Sequence, residues 1–145
     1  MSFRGLGGPG SIRLVAVAAA ALTIAAGLGV RALAHGSVAK YAGDALYTVL
    51  ILTLILVVAP RSRPVLAAGA AVAFSCAVEV LQLTGVPAEL SRHSVVARLV
   101  LGSTFNAPDL LWYAVGAALG WCVHSSLLHR PGRSGRAAAP SAARA

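Results

Sequence analysis

The chain has 145 residues, enough for one domain of ordinary size. Apolar residues make up 58% and charged residues 11%, with 12 basic and 4 acidic side chains and a net charge of +8, whereas a soluble domain carries about 25% charged residues. So few charges cannot clothe a water-soluble globule of this apolar content, so the composition excludes disorder, a disulfide scaffold and an ordinary cytosolic enzyme, and the mean hydropathy of +0.81 points to a multi-pass helical membrane protein.

In chain order, Arg4 and Arg13 flank a charge-free run of 17 residues, 14–30. A spanning helix needs roughly 20 mostly apolar residues, and a first helix is predicted over 14–34, behind a short N-terminal segment of residues 1–13. Ala32-Leu33-Ala34 resembles a leader cleavage site, but the run exceeds the usual 7–15 or so residues and Arg31 sits beside the site, so a retained span is expected. A loop over 35–42 follows, then a second helix over 43–60 that includes Asp44. Pro60-Arg61-Ser62-Arg63-Pro64 reads as a tight turn, since its two prolines stop one helix and start the next. The third helix, over 64–84, must admit Glu79 and Gln82. Residues 85–107 form the longest loop, with Glu89, Arg92, His93 and Arg98. Its apolar piece, 95–101, is too short to span and is expected to be interfacial or re-entrant. A fourth helix is predicted over 108–128, followed by a basic tail over 129–145, rich in Pro, Gly, Ser and Ala, which is expected to be disordered. The fold class is therefore all-α: one four-transmembrane-helix bundle with a partly re-entrant loop between helices 3 and 4.

Basic residues set the orientation. With four spans, one side holds Arg4, Arg13, Arg61, Arg63, Arg130, Arg133, Arg136 and Arg144, and the other Arg31, Lys40, Arg92 and Arg98. The positive-inside rule puts both termini in the cytoplasm of a cell that carries the protein in its inner or plasma membrane. All four acids, Asp44, Glu79, Glu89 and Asp109, then fall in the outer half. The surplus positive charge faces anionic headgroups on the inner side. The pI of 11.1 is explained by these flanks, and nucleic acid is not an expected partner. Membrane lipids are.

Glu79 is the most informative residue. It lies about 22 Å along its helix from Pro64, inside a hydrocarbon core of about 30 Å. Ala67, Ala71, Ser75, Glu79 and Gln82 fall on one stripe, and small residues at that spacing let another helix approach closely. Glu79 is thus expected to face protein. Asp109, Tyr113, Gly116, Gly120 and His124 form a second stripe, in which Gly116 and Gly120 make a close-packing pair and a face for a homo-oligomer. Asn106 fits the N-cap of that helix, with Asp109 in its first turn beside the helix dipole. Lys40 and Asp44 are spaced to pair across one helical turn. Arg92 and Arg98 are the expected counter-charges for Asp44, Glu79 and Asp109, and arginine suits bidentate capture of phosphate or carboxylate. The ligand-binding set is Asp44, Glu79, Gln82, Arg92, Arg98, Asp109 and Tyr113; Ala71, Ser75, Gly116 and Gly120 are packing residues. His35, His93, His124 and His129 show no metal-ligand spacing. His124 is expected to pack or lie at the interface, and Cys76 and Cys122 fall too far apart in depth to bridge. No cofactor or metal is expected, and no nucleophile motif or phosphate loop points to an enzyme.

Lys40-Tyr41-Ala42-Gly43-Asp44-Ala45-Leu46-Tyr47, then Glu79-Val80-Leu81-Gln82-Leu83, Arg92, Leu99-Val100-Leu101-Gly102-Ser103-Thr104-Phe105 and Pro108-Asp109-Leu110-Leu111-Trp112-Tyr113 leading to Gly116 form an ordered set over about residues 24–121. This set resembles the small bacterial membrane proteins grouped as domain of unknown function 2809. The resemblance implies fold and location, since that family has no established activity. The chain is also similar, more distantly, to the VanZ-like family, in which Glu-x-x-Gln ends one helix and an Asp opens a later one. That family is associated with reduced sensitivity to glycopeptide antibiotics. The matching residues are Asp44, Glu79, Gln82, Arg92 and Asp109, while Tyr113 stands where VanZ-like proteins usually carry Asn. The expected function is binding of an envelope-lipid or cell-wall-precursor head in an outer polar pocket. The alternatives are a small transporter or proton-linked permease subunit, and a purely structural membrane protein.

Overall fold

A computed structural model describes residues 8–128. The expected tail over 129–145 and residues 1–7 lie outside the described residues. The described chain is all-helical: α1 (Pro9–Leu33), α2 (Gly36–Val58), α3 (Pro64–Gln82), α4 (Val86–His93), α5 (Val95–Leu101) and α6 (Asp109–Leu128). Four of these, α1, α2, α3 and α6, are long and apolar enough to cross a bilayer. Between 17% and 28% of each span is buried inside the protein. Most Leu, Val and Ile side chains therefore point outward, and only hydrocarbon can accommodate them. The chain is a multi-pass membrane protein. Helices serve here because they satisfy every backbone polar group without water. Thr23, Thr53 and Ser126 follow the same rule, each returning its hydroxyl to a carbonyl of its own helix at 2.7 Å.

Three of the four spans lie close to the expected bounds, with α1 starting at Pro9. The second does not. It begins at Gly36, and the expected loop over 35–42 shrinks to Ala34 and His35. Polar residues of an added two turns are held by partners: Lys40 pairs with Asp44 at 3.5 Å, and Tyr41 stacks on Trp112 of α6 with ring centres 5.2 Å apart. The proline turn forms as expected, with α2 ending at Val58 and Pro64 opening α3.

α2, α3 and α6 pack on one another, whereas α1 packs on α2 alone. Thr48 meets Ser75, Gly116 meets Ala45, and Gly120 meets Leu52. Residue numbers therefore rise together along α2 and α6, which run parallel, with α3 antiparallel to both. Oil offers no hydrophobic reward for joining helices, so close backbone approach supplies the attraction. A β-carbon on Gly116 would sit 2.2 Å from the Ala45 carbonyl oxygen, and one on Gly120 would sit 2.7 Å from Leu52 Cδ1. The stripe Ala67, Ala71, Ser75 and Glu79 is buried as expected. Ala16, Leu52, Leu56, Ala67 and Ala71 form the apolar core.

The long loop is built from two short helices. α4 and α5 pack on each other and on α3. α5 buries no residue, and Val95, Val96, Leu99 and Val100 are exposed, which suits a segment lying against lipid.

Candidate functional site

One end of the bundle gathers the start of α2, the end of α3, the α4–α5 hairpin and the start of α6. All four carboxylate side chains of the chain lie there. Glu79 ends α3's small-residue stripe and is only 1% exposed. Tyr113 donates its hydroxyl to one Glu79 oxygen at 2.7 Å, and the backbone N–H of Asn106 donates to the other. Both oxygens thus have partners, the condition for burying such a group without a large penalty.

Asp109, 3% exposed, is held by Lys40 Nζ on one oxygen and Asn106 Nδ2 on the other. Asn106 therefore touches both buried acids: its amide N–H reaches Glu79 and its side chain reaches Asp109. Its side chain does not take the N-cap role expected of it; the turn before α6 closes through backbone bonds such as Asp109 N–H to Asn106 O at 2.9 Å. Lys40 also reaches Asp44 at 3.5 Å. One lysine so links two carboxyls from different helices. Its side chain remains 44% exposed and that of Asp44 20%, so this part of the network opens to the surface.

Deeper along α2, the Tyr47 ring tilts against Tyr113 with centres 6.3 Å apart, and Thr48 bonds Ser75 at 3.0 Å. Above, Gln82 Nε2 donates to the Leu101 carbonyl at 2.6 Å, Ser91 Oγ to the Gly102 carbonyl at 2.8 Å, and Arg98 Nη2 to the Ser91 carbonyl at 3.0 Å. The first bond fastens the hairpin to α3, and the other two tie α4 to α5 and its end. Gly102 is required twice over: its φ of +64° disfavours other residues, and a β-carbon there would lie 2.5 Å from Gln82 Nε2. Tyr47 Oη and Gln82 Oε1 are buried and have no hydrogen-bond partner among the described residues.

Asp44, Glu79, Asp109 and Tyr113 thus lie at one end of the bundle, linked through Lys40, Asn106 and the Tyr113–Glu79 bond. Gln82 joins them through the hairpin. The counter-charge expectation needs correction. Arg92 pairs with its neighbour Glu89 at 3.3 Å and its side chain is 76% exposed, while Arg98 is spent on a backbone carbonyl. Lys40 supplies the positive charge because α2 starts early enough to bring it beside α6. The oligomer face is corrected too: Gly116 and Gly120 are buried against α2 of the same chain. The residues missed from sequence are Lys40 and Asn106. The Lys40–Asp44 spacing was visible, but the bond to Asp109 spans 69 positions and leaves no local signal.

His124 packs inside the bundle at the far end, with neither ring nitrogen hydrogen-bonded among the described residues. Cys76 and Cys122 are free thiols. Among the described residues no three His, Cys, Asp or Glu side chains gather as a metal site would require. The acid-bearing end offers hydrogen bonding and charge pairing at its open rim.

The family model described as "Protein of unknown function (DUF2809)" matches residues 33–117, more than half of the chain. The chain belongs to that family. The matched stretch takes in α2, α3, the hairpin and the first half of α6, and so every residue of the polar network. No curated protein and no solved structure matches.

Proposed function

With family membership as the premise, we propose that the chain binds the polar head of an envelope lipid or cell-wall precursor at its acid-bearing end, which faces outward with both termini in the cytoplasm. The observation that carries this reading is unspent hydrogen-bonding capacity at one end of the bundle. Among the described residues Tyr47 Oη and Gln82 Oε1 are buried without partners at the end where Lys40 and Asp44 stay part open. Each buried unsatisfied group costs about 1–3 kcal/mol, a cost that a polar head would relieve. Lys40 and Asp44 then meet the head at the rim, and Arg92 on α4 takes an anionic part of it. Glu79, Asp109 and Tyr113 hold the frame. Arg98 keeps the hairpin in position.

Lipid retained through detergent purification tests the reading. Tyr47→Phe removes a hydroxyl that bonds nothing among the described residues, so folded yield should hold while retention of the head-bearing lipid falls by about fivefold. Arg92→Ala should weaken retention of anionic lipids alone. Unchanged retention in both variants would remove the binding role. A purely structural role is the second reading, favoured by the complete pairing of Glu79 and Asp109 within the chain. The permease reading has less support, since Glu79, the acid deepest in a span, already has both oxygens engaged.

A further inference from the structure

The opposite end of the bundle carries a recess of about 470 Å³ lined by Pro9, Arg13, Ala59, Pro60, Arg61 and Ser62. It lies between the start of α1 and the turn joining α2 to α3. We propose that it is a binding site for the phosphate of an anionic membrane phospholipid. This goes beyond the head-binding reading, which concerns the other end.

The argument begins with charge. All four carboxylate side chains sit at the far end, so no side-chain anion competes for Arg13 or Arg61. Arg13 is held in place: its Nε donates to the Val57 carbonyl at 3.0 Å and its Nη2 reaches the Val58 carbonyl at 3.5 Å. These are the last carbonyls of α2, which an arginine both satisfies and complements electrostatically. Three further donors of Arg13 point elsewhere, because a guanidinium carries five. Among the described residues Arg61 has neither a salt bridge nor a side-chain hydrogen bond. Ser62 adds a hydroxyl, and the positive end of α1, whose cap Gly8 offers no side chain, borders the space.

Shape and depth fit a lipid. Pro60 and Pro9 terminate or begin spans, so the recess lies at headgroup level. Leu14, on α1 next to Arg13, is exposed beside it for the acyl chains. Two arginines, one fixed and one free, suit bidentate contact with a phosphodiester.

The test uses the full-length protein in detergent, mixed with equimolar phosphatidylglycerol and phosphatidylcholine, with bound lipid counted by native mass spectrometry. Wild type should retain phosphatidylglycerol preferentially. Arg61→Gln should lower that preference by about fivefold, the effect of one basic residue near an anionic surface, and Arg61→Lys should keep most of it. Arg61 makes no side-chain bond among the described residues, so loss of fold does not confuse the result. Arg31→Gln removes the same charge at the far end and should change nothing. The proposal fails if wild type holds both lipids equally, or if Arg31→Gln matches Arg61→Gln. It also fails if lipid-free protein captures inorganic phosphate tightly while showing no lipid preference, which would assign the recess to a soluble anion.

Discussion

The two ends of the bundle solve opposite problems. At the acid-bearing end, the carboxyl groups of Glu79 and Asp109 lie deep in the protein and each of their oxygens is tied to α2, α6 or the turn before α6. At the other end arginines surround an open recess, with no side-chain acid near. The first end is held together by its charges. The second is held by core packing of Ala16, Leu52, Leu56, Ala67 and Ala71, and its charges are left for the surroundings. Substitutions at the first should therefore act on folding, and at the second on what binds.

The largest effect is expected at the α2–α6 contact. A methyl group on Gly116 would collide with backbone, so Gly116→Ala should part the helices at a cost above about 3 kcal/mol. Gly120→Ala meets only the tip of Leu52, which can rotate, and should cost about 1 kcal/mol. Thermal unfolding in detergent reads both, and equal losses would show that the close approach near Ala45 is not what joins these helices. Next comes Glu79. Glu79→Ala strands the Tyr113 hydroxyl and the Asn106 amide and should cost about 2–3 kcal/mol. Glu79→Gln should be milder, since its oxygen can accept from Asn106 and its NH₂ can donate to the Tyr113 oxygen. Then Lys40→Met leaves Asp109 buried with Asn106 still bonded to it but without its positive partner. Because the lysine is part exposed, water tempers the loss to about 1–2 kcal/mol.

The four spans and the two inward stripes were legible from sequence, because apolar length and helical period are local properties. Ala67, Ala71, Ser75 and Glu79 share a face for the same reason that Asp109, Tyr113, Gly116 and Gly120 do. Pairing across helices was not legible. Lys40 and Arg92 carry the same charge, and only the early start of α2 and the outward position of α4 decide which one reaches Asp109. The start of α2 itself was hidden because His35, Gly36 and Lys40 read as loop until Tyr41 finds Trp112. Asn106 was expected as a capping residue by type, a role its side chain does not take. Its link to Glu79 runs through its backbone, which no side-chain pattern can announce.

The wide sequence gap between Lys40 and Asp109 has a consequence for biogenesis. A ribosome delivers α2 to the bilayer long before α6 has been made, so Lys40 waits with Asp44 as its neighbour one turn away. When the last span arrives alongside, the ammonium gains a second carboxylate without leaving the first. The Lys40–Asp44 spacing thus gives the lysine a carboxylate on its own helix, one turn away, ahead of the partner that lies 69 positions further along the chain.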